Sequence, residues 1–226
     1  MKQLDLRPGQ RVLLQNISWN EFEQILDELG DDRATRVVYY KGRLEIMAPL
    51  LGHENRKEII GDLVKILLEE LDIEFAPAGS TTFKRQNMDA GVEPDECFYI
   101  QNEAVIRGRE RIDLNTDPPP DLAIEIDVTT DSQTKKNSYQ ALGVTELWIY
   151  ARGSQQLQIN VLREGKYVES NQSQIFPDLP IVDAIPRYLT KSKVDGRNAA
   201  IKAFRAWLAS QLNAACPASG SESAPN

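Results

Sequence analysis

Apolar residues recur along this chain in two rhythms, one near the helical period and one alternating, and their succession predicts its elements. Residues 18–30 read as a helix. Ser18 and Glu21 form an S-x-x-E capping box, Phe22, Ile25, Leu26 and Leu29 form the apolar stripe, and Gly30 stops it. Residues 36–40 and 44–47 flank Lys41-Gly42-Arg43 as a hairpin. The longest helical pattern covers 53–71, with Ile59, Ile60, Leu63, Val64, Leu67, Leu68 and Leu71 on its stripe. Residues 92–100 predict a strand entered through Pro94. After Pro118-Pro119-Pro120, residues 121–128 are the most strand-like segment of the chain, and 145–150 predict a buried strand. Residues 131–142 predict a polar helix closed by Gly143, and 157–162 with 166–169 a second hairpin around Glu164-Gly165. Residues 177–189 read as irregular with a short helix, and 198–212 as an amphipathic helix.

This order predicts an α/β (α+β) domain in which helices flank a mixed central sheet, with an N-terminal helix-hairpin extension. The 226 residues suit one domain over 1–190, a C-terminal amphipathic helix over 191–212 and a disordered tail over 213–226. No internal repeat is visible. Cys97 lies in an apolar run and Cys216 in the polar tail, a poor pair for a bridge, so a reducing compartment is expected. The first ten residues have no apolar core of a signal peptide, and no apolar run approaches the ~20 residues of a membrane span. A cytoplasmic protein without a membrane partner is the expectation.

The net charge of −8 argues against simple non-specific DNA binding, which rests on lysines and arginines displacing counterions. It does not argue against a site where carboxylates hold divalent cations, because bound metal reverses the local field. Arg107, Arg109 and Arg111 read as part of a solvated loop.

Candidate chemistry centres on 121–128. Strand alternation places Asp121, Ala123, Glu125 and Asp127 on one face, and Leu122, Ile124, Ile126 and Val128 on the other. Buried without compensation, each ionised carboxylate costs several kcal/mol, which a cation removes. The alternative is an outer strand with its polar face in water. Asp95, after Pro94, is a second acid on another strand, or a turn residue. Lys135 opens the next helix within reach of the strand that holds Glu125, and Lys136 reads as solvated.

Four segments, GRLEIMAPLLGHE (42–54), EPDECFYI (93–100), PPDLAIEIDVT (119–129) and YQALGVTELWIY (139–150), resemble the Uma-type endonuclease family. That family, formerly a domain of unknown function, belongs to the PD-(D/E)xK, restriction-endonuclease-like superfamily. The resemblance runs from about residue 17 to about 190, and its four ordered blocks make it specific where a lone Pro-Asp would not be. It implies a restriction-endonuclease-like fold and a Mg²⁺- or Mn²⁺-dependent hydrolase of nucleic acid, with DNA the expected substrate. It implies Asp95 and Glu125 as catalytic metal ligands. The motif lysine falls at position 127, where this chain has Asp127, and its role passes to Lys135. Asp127, Asp121, Glu54, Glu58 and His53 are accessory candidates, with helix capping an equal reading for His53.

The rival reading is a catalytically inactive nuclease-fold binding module, favoured by Asp127 and the acidic balance. A glycosidase needs an aromatic-lined sugar groove, for which 7% aromatic residues are few. A plain structural protein has every acid exposed. A homodimer would serve cutting of both strands, although no residue pattern demands one.

Overall fold

A computed structural model describes residues 6–30, 33–79, 81–126 and 132–215. Asp127 lies outside the described residues, as does the tail from Cys216 onward; the first residues of the tail expected to be disordered over 213–226, 213–215, are instead helical. Strand β1 (Arg11–Leu14) precedes helix α1 (Trp19–Leu29). The capping box closes α1 reciprocally: Ser18 N donates to Glu21 Oε2 at 2.7 Å, and Glu21 N donates to Ser18 Oγ at 3.4 Å. Strands β2 (Arg36–Tyr40) and β3 (Arg43–Met47) turn through Lys41 (φ 47) and Gly42 (φ 80). That pair of left-handed residues matches the twist of a two-residue hairpin.

Helix α2 (Leu51–Glu70) follows, then β4 (Ala76–Pro77), β5 (Phe83–Arg85), β6 (Ala90–Val92), β7 (Glu96–Tyr99) and the single turn α3 (Glu103–Ile106). The second half holds β8 (Leu122–Ile126), α4 (Ser132–Leu142), β9 (Glu146–Ala151), β10 (Gln156–Arg163), β11 (Lys166–Ser170), α5 (Ile181–Asp195) and α6 (Arg197–Ala215).

The strands form two sheets. One is antiparallel, in the order β1-β3-β2-β6-β5, and the other runs β11-β10-β9-β8-β7-β4. Among the described residues only β8 and β9 pair in parallel, and α4 is the crossover such a pair needs. Three apolar layers result. Helix α1 covers the outer face of the first sheet through Phe22, Leu26, Val37, Tyr39, Leu44 and Ile46. Between the sheets, Val38, Val92, Cys97, Tyr99, Ala123 and Tyr139 pack together. Beyond the second sheet, α2, α5 and α6 bury Leu63, Leu67, Ile124, Trp148, Ile185 and Phe204. Helix α6 is thus part of the main core, with Tyr188 and Phe204 ring centroids 5.1 Å apart. No helix among the described residues is long and apolar enough to cross a membrane.

Three expectations change. The run 92–100 is divided: Val92 pairs with Val38 and Phe83 in the first sheet, while β7 belongs to the second. Glu93 holds the last contact with the first sheet. Its N–H donates to Val37 O at 3.1 Å, and its carboxylate accepts from Val37 N at 3.1 Å and from Thr82 Oγ1 at 2.6 Å and pairs with Arg33. Pro94 then lacks the N–H that would continue a ladder, and the chain crosses between sheets. The polar helix α4 is not a surface helix. It is wedged between the sheets, with Ser138 Oγ donating to Tyr39 O at 2.9 Å. Lys136, expected to be solvated, is half-buried and donates to Asn160 Oδ1 at 2.6 Å. Finally, the segment read as irregular with a short helix forms the longer helix α5 despite Pro186, because Ile181, Ala184, Ile185, Tyr188 and Leu189 make a buried stripe that offsets one lost backbone hydrogen bond.

Phe22 sits over the strand at Gly91, stacked on Tyr39 with centroids 4.4 Å apart. A Cβ on Gly91 would stand 2.7 Å from Phe22 Cζ, inside contact distance of a fully buried ring. Gly91→Ala is therefore expected to lower stability by about 1–3 kcal/mol through overpacking, read as a shift in the urea midpoint; an unchanged midpoint contradicts this packing.

Candidate active site

Strand pairing brings the two principal acids together. In β7 and β8, Glu96 pairs with Ile124 and Cys97 with Ala123, so one further step of the same register puts Asp95 opposite Glu125. Alternation turns both toward the space between the sheets, the side taken by Cys97 and Ala123. Ile126 N fixes the pairing by donating to Asp95 Oδ2 at 2.7 Å. Asp95 is 1% exposed and Glu125 0%, and all of β8 is buried as an interior strand. The alternative of a wet outer strand is therefore excluded.

Helix α4 supplies the partners of Glu125. Lys135 and Tyr139 lie one turn apart and reach the same carboxylate, as residues four apart on a helix do. Lys135 Nζ donates to Glu125 Oε2 at 2.6 Å, and the Tyr139 hydroxyl donates to Oε1. Helix α2 supplies the partner of Asp95. His53 Nε2 lies 3.0 Å from Asp95 Oδ2, and its Nδ1 lies 3.3 Å from Glu54 Oε1. His53 is buried, so its ring serves the acid rather than the helix end, whose cap position is Leu50.

The other candidates are placed differently. Glu54 touches the site only through His53, and its carboxylate also faces Lys57 at 3.6 Å. Glu58 is exposed beside Lys57. Asp121 stands at the opposite end of β8, roughly 13 Å along the strand from Glu125. Its carboxylate accepts from Ile100 N at 2.7 Å, Asn102 N at 3.0 Å and Asn102 Nδ2 at 2.8 Å, and so anchors the loop after β7. Asp127 lies outside the described residues.

Two residues at the site escaped the sequence reading. Tyr139 was passed over as a helix residue, although it lies four places after Lys135. Glu45 was passed over as a hairpin residue. It is buried, opposite Val38, on the β3 face that looks into the space between the sheets, and its charge helps to hold Lys135 protonated. A single acid between Leu44 and Ile46 on a buried hairpin was the available signal.

The electrostatics separate the acids. Burial above all, with the charge of Asp95, pushes the Glu125 carboxyl up to about 7 against the pull of Lys135 and Tyr139. Burial also acts on Asp95, but the hydrogen bond from His53, the Lys135 charge and Ile126 N outweigh it and hold the acid below its ordinary range. Lys135 resists burial because Glu125 and Asp95 face it, and its pKa is raised. His53 likewise resists burial and is raised, through Asp95 and Glu54.

One acceptor is left over. Asp95 Oδ1 is buried and has no hydrogen-bond partner among the described residues, an arrangement that costs about 1–3 kcal/mol unless something else fills it. Among the described residues no group of three or more His, Cys, Asp or Glu is arranged to hold a metal. Any cation here would have to rely on Asp95 and Glu125, a donor set that suits Mg²⁺, which takes one or two carboxylates and completes its shell with water and phosphate.

A search of curated proteins finds no match. Among solved structures, the crystal structure of "a putative nuclease belonging to DUF820" from Anabaena variabilis is 17% identical, with a TM-score of 0.45 over 70% of this chain and 87% of that chain. A family model, Uma2, described as "Putative restriction endonuclease", matches residues 19–190. Because that match takes in β2, β3, both strands of the carboxylate pair and the helix that carries Lys135, about three quarters of the chain in all, the protein belongs to the Uma2 family of restriction-endonuclease type.

Proposed function

We propose that this protein is a metal-dependent endonuclease that hydrolyses phosphodiester bonds of DNA, with Mg²⁺ or Mn²⁺ as cofactor. The observation that carries the reading is the orphaned Oδ1 of Asp95, facing the side of the sheet where Glu125 and Lys135 meet. Family membership supports the nuclease class. Asp95 and Glu125 would hold the cation, which when bound polarises the scissile phosphate and lowers the pKa of its water.

This chain's own residues prepare the site. His53 and Ile126 N fix Asp95 by its Oδ2, which leaves Oδ1 for a ligand. Tyr139 orients Glu125 from one side and Lys135 from the other. Lys135 keeps a positive charge beside both acids, where it can neutralise charge that develops on the phosphate. It takes the role that Asp127 cannot fill. The inactive binding module has one observation in its favour: both oxygens of Glu125 already accept hydrogen bonds.

Asp95→Asn and Glu125→Gln are each expected to lower Mg²⁺-dependent cleavage of plasmid DNA by at least about 100-fold while thermal unfolding stays cooperative. Calorimetric Mn²⁺ uptake should vanish with Asp95→Asn. Retained cleavage in either variant removes the assignment, and DNA binding by a wild-type protein that takes up no Mn²⁺ selects the inactive module.

The pH dependence has a definite sign. In the metal-free protein Glu125 keeps its proton up to about 7, whereas the unfolded chain loses it near the ordinary 4.5. The folded state thus binds the extra proton between those values, and stability falls as pH rises through that window, by on the order of 3 kcal/mol. His53, raised above 6.5, adds a loss in the same direction. Urea midpoints in EDTA should fall from about pH 5 to about pH 8, and Glu125→Gln should remove most of the slope; an equal slope in that variant contradicts the buried-acid account.

A further inference from the structure

A cleft of about 840 Å³ opens at the edge of the second sheet where β9 ends, between α2, α5 and the start of α6. Four cations line it, Arg56 from α2, Arg152 from the turn after β9, Lys193 from α5 and Arg197 from α6, against Glu58 as the one acid in the lining. Three stretches far apart in sequence, at 56, 152 and 193–197, thus send positive charge to one place in a chain whose net charge is −8. Arg197 is held by Asp62, at 2.6 Å. Arg152 and Lys193 are exposed and have no acidic partner among the described residues. The charges of Arg152 and Lys193 repel one another, and a polyanion relieves that repulsion.

The cleft lies on the helix-covered face of the second sheet, opposite the face that Asp95 and Glu125 take, and meets the carboxylate site around the strand ends at two points. Gly52 in its wall directly precedes His53, which holds Asp95. Tyr150 in its wall pairs with Ile126, and Arg152 lies three residues past Ile149, the partner of Glu125. Three residues of strand span about 10 Å, the axial rise of about three nucleotides in one strand of a duplex. The arginine bundle at the other face differs: Arg107 is paired with Glu103 and Arg109 with Asp117.

We infer that this cleft is the track for the DNA phosphate backbone leading away from the cleaved bond, with Arg152 and Lys193 as its principal phosphate contacts. It rests on the nuclease reading for its substrate. Contacts of this type position a duplex without reading its sequence, so the track sets affinity and register rather than cutting chemistry.

The test is fluorescence anisotropy of a fluorescein-labelled DNA duplex in EDTA, so that nothing is cut, across a range of NaCl. The proteins are wild type, Arg152→Glu/Lys193→Glu, and Arg163→Glu/Lys166→Glu, which changes net charge equally on the far edge of the sheet. The groove variant should bind at least tenfold more weakly, with a salt slope shallower by about 2, the loss of two phosphate contacts. The far-edge variant should keep the wild-type slope. In cleavage assays the groove variant should raise KM and leave kcat unchanged. Equal binding by wild type and groove variant overturns the track even where the wild type cuts DNA, as does a wild type that binds no duplex. A steep wild-type slope that the groove variant loses, in a protein that never cuts, keeps the track and removes the nuclease reading.

Discussion

Two carboxylates withdrawn from water on facing strands repel each other, and the low dielectric around them magnifies that repulsion. Asp95 and Glu125 are in this position, and much of the architecture near them answers it. Helix α4, polar by composition, is drawn into the interior because its lysine is the counter-charge. Helix α2 begins where its histidine can meet the other acid. The set is still incomplete, since one oxygen of Asp95 has no hydrogen-bond partner among the described residues. Proteins seldom leave a buried acceptor in that condition outside functional sites.

Much of the fold was legible because local signals and burial agree. The capping box at Ser18, the turn at Lys41-Gly42 and the alternation of 122–126 each have one physical meaning, and each gave an element in its place. What failed did so where tertiary partners decide. The run 92–100 is continuously strand-like, and nothing within it tells that Val92 finds its neighbour in one sheet and Cys97 in another. Composition showed α4 as polar but not where it packs, because Ser138 and Lys136 find their acceptors on Tyr39 and Asn160, remote in sequence. In α5 the stripe shows only against the sheet and helices it packs on, and it outlasts the interruption at Pro186.

The candidate site follows the same division. Asp95 and Glu125 could be named from sequence because each sits in a block that the family shares, and Lys135 because it opens the helix that follows; the register and that helix then set them side by side. Asp121 could not be separated from Glu125 by alternation alone, since period-two reasoning assigns a face and not an end of the strand. Its carboxylate ties a loop instead. Tyr139 and Glu45 were hidden because each looks like an ordinary member of its element until the second sheet is laid over the first.

The crossing at Glu93-Pro94-Asp95 has a consequence for how the protein comes into being. Adjacent acids there are fastened to different halves of the molecule, Glu93 to the backbone of Val37 and Asp95 to that of Ile126. Neither half by itself can set the spacing of the cluster. A ribosome-bound chain that has released only the first sheet therefore carries no organised carboxylate cluster, which forms once Ile126, Lys135 and Tyr139 have emerged and docked. A proteolytic cut that frees one half would undo the cluster in the same way.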